Sequence, residues 1–130
     1  MSSKGSDAER ELARILWNKG FVVMRSPASG SAREDPQPDL LFSDGSNIFG
    51  AECKRSSKGK VYINREEVAE LEAFCERFGL GCEALYAVRF NYRPWYFLRL
   101  GDLEETEGLS FRVDEESVTE RGTTVEGLMD

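Results

Sequence analysis

The chain has 130 residues and lacks histidine altogether, and it contains only three cysteines, Cys53, Cys75 and Cys82. Without histidine, Ser-His and Cys-His nucleophilic catalysis and any histidine general base are excluded. The cysteines are odd in number and do not have the spacing of zinc ligands, so neither a disulfide framework nor a zinc site is expected. Proton transfer would therefore use Asp, Glu, Lys or Tyr side chains, or a water bound to a metal.

Long apolar runs are missing as well. None approaches the ~20 residues that span a bilayer, and residues 1–7 lack the apolar middle region of a signal peptide. A chain of this length, with 40% apolar and 32% charged residues, is typical of one globular domain with a charged surface. We therefore expect a cytoplasmic protein.

Lysine is scarce and confined to the first half of the chain, where all five lysines lie. Residues 1–65 hold 11 Lys+Arg and 8 Asp+Glu, a balance of +3, whereas residues 66–130 hold 6 and 16, a balance of −10. The net charge of −7 disfavours nucleic-acid binding, but the basic half still offers a surface for it. Few lysines and an acidic remainder suggest a high-salt cytoplasm, where the Debye length falls to about 3 Å at 1 M salt.

Local patterns predict the secondary structure of the first half. Ser6 and Glu9 have the spacing of a capping box, which predicts a helix with Ser6 as its N-cap and an end near Gly20. A β-rich run at 21–25 predicts a strand, and the Pro-, Ser- and Gly-rich residues 27–38 predict a long loop. The turn sequence at 44–47 predicts a hairpin that joins strands at 40–42 and 48–54.

In the second half, Asn64 is the expected N-cap of another helix that ends at Gly79, with Glu67 at capping-box spacing. Two strands follow, at 84–90 and 95–100. The order αβββαββ predicts an α/β domain over residues 1–103, with a mixed central sheet flanked by helices. Residues 104–130 are acidic, and we expect them to form an extension with one edge strand at 111–113 and a weakly ordered tail from Thr119.

Glu52 and Lys54 are the chemically suggestive pair of the sequence. On a strand they point to the same face, whereas Ala51 and Cys53 point to the other. An isolated Glu-x-Lys is more often the solvent face of an edge strand. Here the hairpin brings Asp39 to the same edge of the sheet, and a basic loop follows Lys54. Two carboxylates beside a lysine suit a hard cation such as Mg²⁺ and a phosphodiester substrate.

This arrangement, Pro38-Asp39 followed thirteen positions after Asp39 by Glu52-x-Lys54 on the returning strand, resembles the PD-(D/E)xK nuclease superfamily with its restriction-endonuclease-like core. A closer resemblance, to archaeal Holliday junction resolvases of the Hjc type, rests on three further segments: Lys4-Gly5-Ser6-x-x-Glu9-Arg10, Gly20-Phe21-x-Val23-x-Arg25 through Ser31, and Arg77-Phe78-Gly79. The resemblance runs from Lys4 to about Leu103. Glu67 departs from it, because many family members have Gln there.

The resemblance implies a structure-selective endonuclease that acts as a homodimer on four-way DNA junctions and cuts two opposed strands. It implies Mg²⁺ as cofactor, with Mn²⁺ as an alternative, and Glu9, Asp39 and Glu52 as metal ligands. Lys54 would be the catalytic lysine and Ser29 a catalytic loop residue. From the residues alone, a helix cap accounts for Glu9 equally well, and a flexible loop accounts for Ser29.

Residues expected to bind DNA cluster around this site in the sequence: Arg10, Arg25, Ser31, Arg33, Arg55, Lys58, Lys60, Tyr62 and Arg65. A solvated basic face is the alternative for the charged ones, and a packed aromatic for Tyr62. The aromatic residues between 90 and 97 form either core or part of a two-fold interface. Two other functions stay open, a related PD-(D/E)xK repair or restriction-like nuclease and a non-catalytic DNA-binding module of the same fold.

Overall fold

The computed structural model describes residues 3–27 and 35–129, with side chains from Asp7 onward. The predicted site residues Ser29, Ser31 and Arg33 lie outside the described residues. The elements follow in the order α1 (Ser3–Asn18), β1 (Val22–Arg25), β2 (Leu40–Ser43), β3 (Ile48–Ser56), β4 (Lys60–Asn64), α2 (Arg65–Phe78), β5 (Glu83–Phe90), β6 (Tyr96–Arg99), a 3₁₀ turn (Leu100–Asp102), β7 (Glu104–Glu105), β8 (Ser110–Asp114), α3 (Glu115–Arg121) and α4 (Val125–Leu128).

The central sheet has five strands in the order β1-β2-β3-β5-β6. The predicted β2–β3 hairpin is confirmed, with Leu40 opposite Ala51. Strand β5 pairs with β3 in parallel, which places Tyr86 beside Glu52 and Val88 beside Lys54. A parallel pair needs a crossover connection, and α2 supplies it. The mixed α/β sheet flanked by helices is therefore confirmed.

Two apolar cores lie on opposite sides of this sheet. Helix α1 buries Ala8, Leu12 and Leu16, spaced one helical turn apart, against a core that includes Phe42 and Phe97. Helix α2 covers the other side through Val68, Leu71 and Cys75. The sheet thus holds α1 and α2 at fixed positions on either side of β3, the strand that carries Glu52 and Lys54.

Of the two predicted helix N-caps, one is wrong and one is confirmed. Helix α1 begins at Ser3, so Ser6 is not its N-cap. Asn64 does cap α2, because its side chain accepts a hydrogen bond from the Glu66 backbone N–H at 2.7 Å. In the described part of the chain, no helix has the length and apolar character that crossing a membrane requires.

The segment after Leu103 differs from its predicted form. It contributes β7 and β8, which join β4 in a second, three-stranded sheet, and then α3 and α4. Val113 and Val118 are buried in the α2-side core, and Val125 and Leu128 in the α1-side core. A weakly ordered tail from Thr119 is therefore wrong for residues 119–129. The segment after Leu103 has few apolar residues, but these four are spaced so that each reaches a core. A low apolar content alone does not reveal such spacing.

Candidate active site

Asp39 directly precedes β2, and the neighbouring strand β3 runs beside it. Its Oδ2 accepts a hydrogen bond from the backbone N–H of Cys53 at 2.8 Å. Upstream, the Ser26 backbone N–H donates to the Asp39 carbonyl at 3.0 Å, and the Ser26 hydroxyl donates to the Pro38 carbonyl. These bonds fix the Asp39 carboxylate over the middle of β3.

The Cys53 thiol lies among three carboxylates. Burial raises its pKa well above the usual value, and the negative charges of Asp39, Glu9 and Glu52 raise the pKa further. Those carboxylates come from the edge of β2, from α1 and from β3. Glu9, Asp39 and Glu52 therefore lie near enough to Cys53 for their charges to act on its thiol.

Arg25 also belongs to this place rather than to a remote basic surface. Its Nη2 lies 3.8 Å from Glu9 Oε1, and both side chains are largely buried, at 30% and 23% exposure. Its positive charge opposes the carboxylates and lowers the pKa of the Cys53 thiol. Glu9 is therefore not simply a helix cap, because it faces β1 and β3 from the middle of α1.

Lys54 is held on the α2 side of the sheet. Its Nζ lies 2.9 Å from Glu67 Oε2 and donates a hydrogen bond to Glu67 Oε1 at 3.2 Å. Both side chains are 29% exposed. Glu67 stands in the first turn of α2, next to the Asn64 cap. It therefore contacts Lys54 instead of closing a capping box, as its spacing had predicted.

The donor set can be tested against the cation that the resemblance implies. Within residues 3–27 and 35–129, no group of three or more Asp, Glu and Cys side chains is already arranged to hold a metal ion. The chemistry of the donors still fits, because Glu9, Asp39 and Glu52 supply hard carboxylate oxygens, and Mg²⁺ binds through few carboxylates while it keeps several waters. These are the residues that would hold it.

Comparison with known proteins settles the family. The family model described as "Archaeal holliday junction resolvase (hjc)" matches residues 1–130. The chain belongs to this family. The match includes the segment after Leu103, so the resemblance extends further along the chain than the motifs had suggested.

Three members of the resolvase family illustrate the similarity. "Crossover junction endodeoxyribonuclease Hjc" of Sulfurisphaera tokodaii is 35% identical over 128 residues, which is 98% of this chain and 86% of the relative. The protein of the same name from Methanocaldococcus jannaschii is 37% identical over 112 residues, 86% of this chain and 77% of the relative. The solved structure of Archaeoglobus fulgidus Hjc superposes with a TM-score of 0.82 at 28% identity, covering 93% of this chain and 99% of that one.

That solved structure is described as one from an archaeal hyperthermophile. It gives no support to the high-salt cytoplasm inferred from the charge distribution. Adaptation to high salt therefore stays a prediction for this resolvase-family chain.

The residues predicted to bind DNA have different surroundings. Arg55, Lys58, Lys60 and Tyr62 are exposed, and Tyr62 has 56% of its surface accessible. Arg65 is instead engaged with Glu105 at 2.6 Å, and its guanidinium stacks 4.8 Å from the Phe111 ring centroid. Arg10 forms an exposed ion pair with Asp7 at 2.9 Å. These four exposed residues lie at the end of β3, in the loop that follows it and at the start of β4, directly beyond Lys54.

Most of the aromatic residues between 90 and 97 form core. Phe90, Trp95 and Phe97 are buried, whereas Tyr92 is 95% exposed in the β5–β6 turn. Two functional neighbours were not predicted from the sequence, Glu67 as the partner of Lys54 and Tyr86 beneath both. No local pattern identifies Tyr86, because only the parallel register of β5 places it beside Glu52.

Proposed function

We propose that this protein is an endonuclease that resolves four-way DNA junctions by hydrolysing phosphodiester bonds in two opposed strands, with Mg²⁺ as cofactor. The observation that carries the proposal is the hydrogen bond from the Cys53 N–H to Asp39, which holds that carboxylate at β3 between Glu52 and Lys54, with Glu9 near enough for its charge to act on Cys53. The relatives support the proposal through their name, crossover junction endodeoxyribonuclease.

The side chains have distinct tasks in this reaction. Glu9, Asp39 and Glu52 would bind the cation, and the Cys53 backbone N–H orients Asp39 toward it. When bound, the cation supplies Lewis-acid stabilisation of the charge that develops on the phosphoryl oxygens. Lys54 adds a positive charge that orients the attacking water or stabilises the pentavalent transition state. None of these tasks needs histidine.

The exposed residues Arg55, Lys58, Lys60 and Tyr62 would contact the DNA backbone beside the site. Basic side chains at this position neutralise phosphates and set the orientation of the duplex arms without reading bases. The acidic surface of the second half then faces away from the junction or is screened by salt. In this proposal, the basic loop between β3 and β4 would hold DNA phosphates beside Lys54.

We also propose that the protein acts as a symmetric homodimer, since two opposed strands require two sites. The outer face of α2 supports this arrangement. Phe74 and Phe78 stack there with ring centroids 6.1 Å apart, Phe78 is 40% exposed, and Leu80 beyond the helix is 85% exposed. Apolar surface of this kind marks interaction sites. Phe78→Ser should shift the mass measured by light scattering to that of one chain, whereas Leu109→Ser, at the exposed β7–β8 turn, should not.

A substrate panel tests the activity. Labelled four-way junction, flap, duplex and single strand of the same sequence would be incubated with and without Mg²⁺. We expect symmetric cuts in the junction alone, and only with the cation. Preferential cutting of flap or duplex would favour the related repair or restriction-like nuclease, and binding without any cutting would favour the non-catalytic module.

A further inference from the structure

The contact between Lys54 and Glu67 joins the sheet to α2 inside the proposed site. Both carboxylate oxygens of Glu67 lie within 3.2 Å of the Lys54 ammonium. The contact is only 29% exposed on each side, so water screens it less than it screens a surface ion pair. The ammonium of the proposed catalytic lysine thus has one defined position rather than the many that a free lysine explores.

Glu67 is itself held in place by its helix. The Asn64 side chain caps the first turn of α2 by accepting from the Glu66 N–H at 2.7 Å. Val68, the next residue along, is buried in the α2-side core at 8% exposure. Because the cap and the buried valine fix the backbone on both sides of Glu67, its carboxylate is directed toward β3 before any substrate binds.

Tyr86, on β5 beside Glu52, is the third residue of this arrangement. It is fully buried on β5, and among the described residues its hydroxyl and Glu67 Oε2 are two of the buried side-chain atoms that lack a hydrogen bond of good geometry. Burial, followed by the charges of Glu67 and Glu52, raises the pKa of Tyr86 well above its usual value. The hydroxyl is a hydrogen-bond donor, and the carboxylate that acts on it most strongly is that of Glu67.

We propose that Glu67 is a positioning residue for Lys54, and that the buried Tyr86 hydroxyl steadies Glu67 in that role. This inference rests on the proposed nuclease function. Glu67 fixes the ammonium beside the carboxylates of β3, so that the lysine needs no rearrangement when the phosphodiester arrives. The chain has a matched control in Glu66, which is adjacent, equally charged and exposed.

The kinetic experiment measures cleavage of a labelled junction under single-turnover conditions, at saturating enzyme with Mg²⁺, and junction affinity separately without the cation. Glu67→Ala should lower the rate at saturation by about tenfold or more, with an unchanged Kd, because the loss falls on the transition state rather than on binding. Glu67→Gln should recover the rate to within about threefold of wild type, since its amide oxygen still accepts from Lys54. Glu66→Ala should match wild type.

A second experiment reads the position of Lys54 without any reaction on DNA. The free protein is treated with a trace of an amine-acetylating reagent, and modification of each lysine is followed by mass spectrometry. Glu67→Ala should speed acetylation of Lys54 severalfold relative to Lys19, and Glu66→Ala should not. Tyr86→Phe should give a smaller increase. If this variant of the buried tyrosine does not fold, Glu67→Gln is measured in its place.

The two experiments separate the inference from the function beneath it. If wild type cuts no junction but Glu67→Ala still exposes Lys54 to acetylation, the proposed function fails and the contact stands. If wild type cuts and Glu67→Ala cuts at the same rate or faster, the positioning role is overturned. Equal acetylation of Lys54 in wild type and Glu67→Ala also overturns the positioning role, provided that circular dichroism shows both proteins to be folded.

Discussion

The two halves of the chain use their charges differently. In the first half, Glu9, Arg25, Asp39 and Glu52 are partly buried, and the charges of all four act on the Cys53 thiol. In the described part of the second half, most ion pairs lie at the surface, as with Arg99 and Glu83, whose side chains are 54% and 42% exposed. Exposed pairs contribute little to stability, whereas partly buried charges carry a desolvation cost. Under the proposed function, the nearly balanced half carries most of the chemistry and the more acidic half serves mainly as scaffold.

Glu67 is the exception that makes this comparison useful. It belongs to the acidic half by position, yet its side chain is only 29% exposed and contacts Lys54 on the α2 side of the sheet. Charge density along the sequence therefore says little about where chemistry occurs. What distinguishes the proposed functional carboxylates is that each lies on β3 or faces it.

The largest effect is expected from replacing one of the proposed metal ligands Glu9, Asp39 and Glu52. Asp39→Asn or Glu52→Gln keeps the side-chain shape but removes a hard anionic ligand, and junction cleavage should fall by about 10²-fold or more. Junction binding, measured without divalent cation, should survive.

Glu104→Gln, an equally conservative change at the exposed edge of β7, should leave the cleavage rate within about twofold of wild type. Cleavage by Asp39→Asn at the wild-type rate would place the site elsewhere. A comparable loss in Glu104→Gln would erase the proposed difference between the halves.

The next effect tests whether the acidic second half is true scaffold. Leu128 in α4 is 7% exposed in the α1-side core, so Leu128→Ala should lower the free energy of unfolding by about 2–4 kcal/mol. Met129 follows it at 48% exposure, and Met129→Ala should change stability by less than about 0.5 kcal/mol. Urea unfolding followed by fluorescence measures both. Equal, small effects would return the segment to the weakly ordered tail that its composition predicts.

A smaller effect concerns Asp114, which caps α3. Hydrogen bonds from Ser117, first its backbone N–H at 2.8 Å, lower the pKa of Asp114 below its usual 3.8. A lowered pKa in the folded state adds stability that is present above about pH 4 and is lost as pH falls through the folded-state pKa.

Asp114→Ala should cost about 1 kcal/mol near pH 7, and that cost should shrink as the pH falls below about 4. Asp114→Asn, which keeps a capping oxygen, should lose less. The measurement is urea unfolding at a series of pH values. A cost for Asp114→Ala that stays constant down to about pH 2 would contradict the assignment, because the carboxylate would then contribute no charge-dependent stability.

The smallest effect is expected from a surface pair. Arg99 Nε lies 2.6 Å from Glu83 Oε2, which raises the pKa of Arg99 above its usual value. Because the pair is largely exposed, a double-mutant cycle with Arg99→Gln and Glu83→Gln should give a coupling energy of at most about 0.5 kcal/mol, and less in high salt. A coupling above about 2 kcal/mol would show that the acidic half depends on its ion pairs.

The sequence by itself determined the local parts of this protein. Strand alternation put Glu52 and Lys54 on one face, the turn at 44–47 folded β2 back on β3, and Asn64 began α2. Each depends on neighbours within a few residues, which is where local rules are strong. The hairpin also brought Asp39 to this site, whereas only the family motifs connected Glu9 to it, because no local rule does so.

Only the tertiary structure decided which distant residues meet. The parallel register of β5 on β3, set by the α2 crossover, put Tyr86 beside Glu52, and the packing of α2 brought Glu67 to Lys54. The same holds for the segment after Leu103, where Val125 and Leu128 reach a core on the far side of the sheet. Such contacts depend on burial of apolar surface across the whole domain, and that driving force carries no direction along the chain.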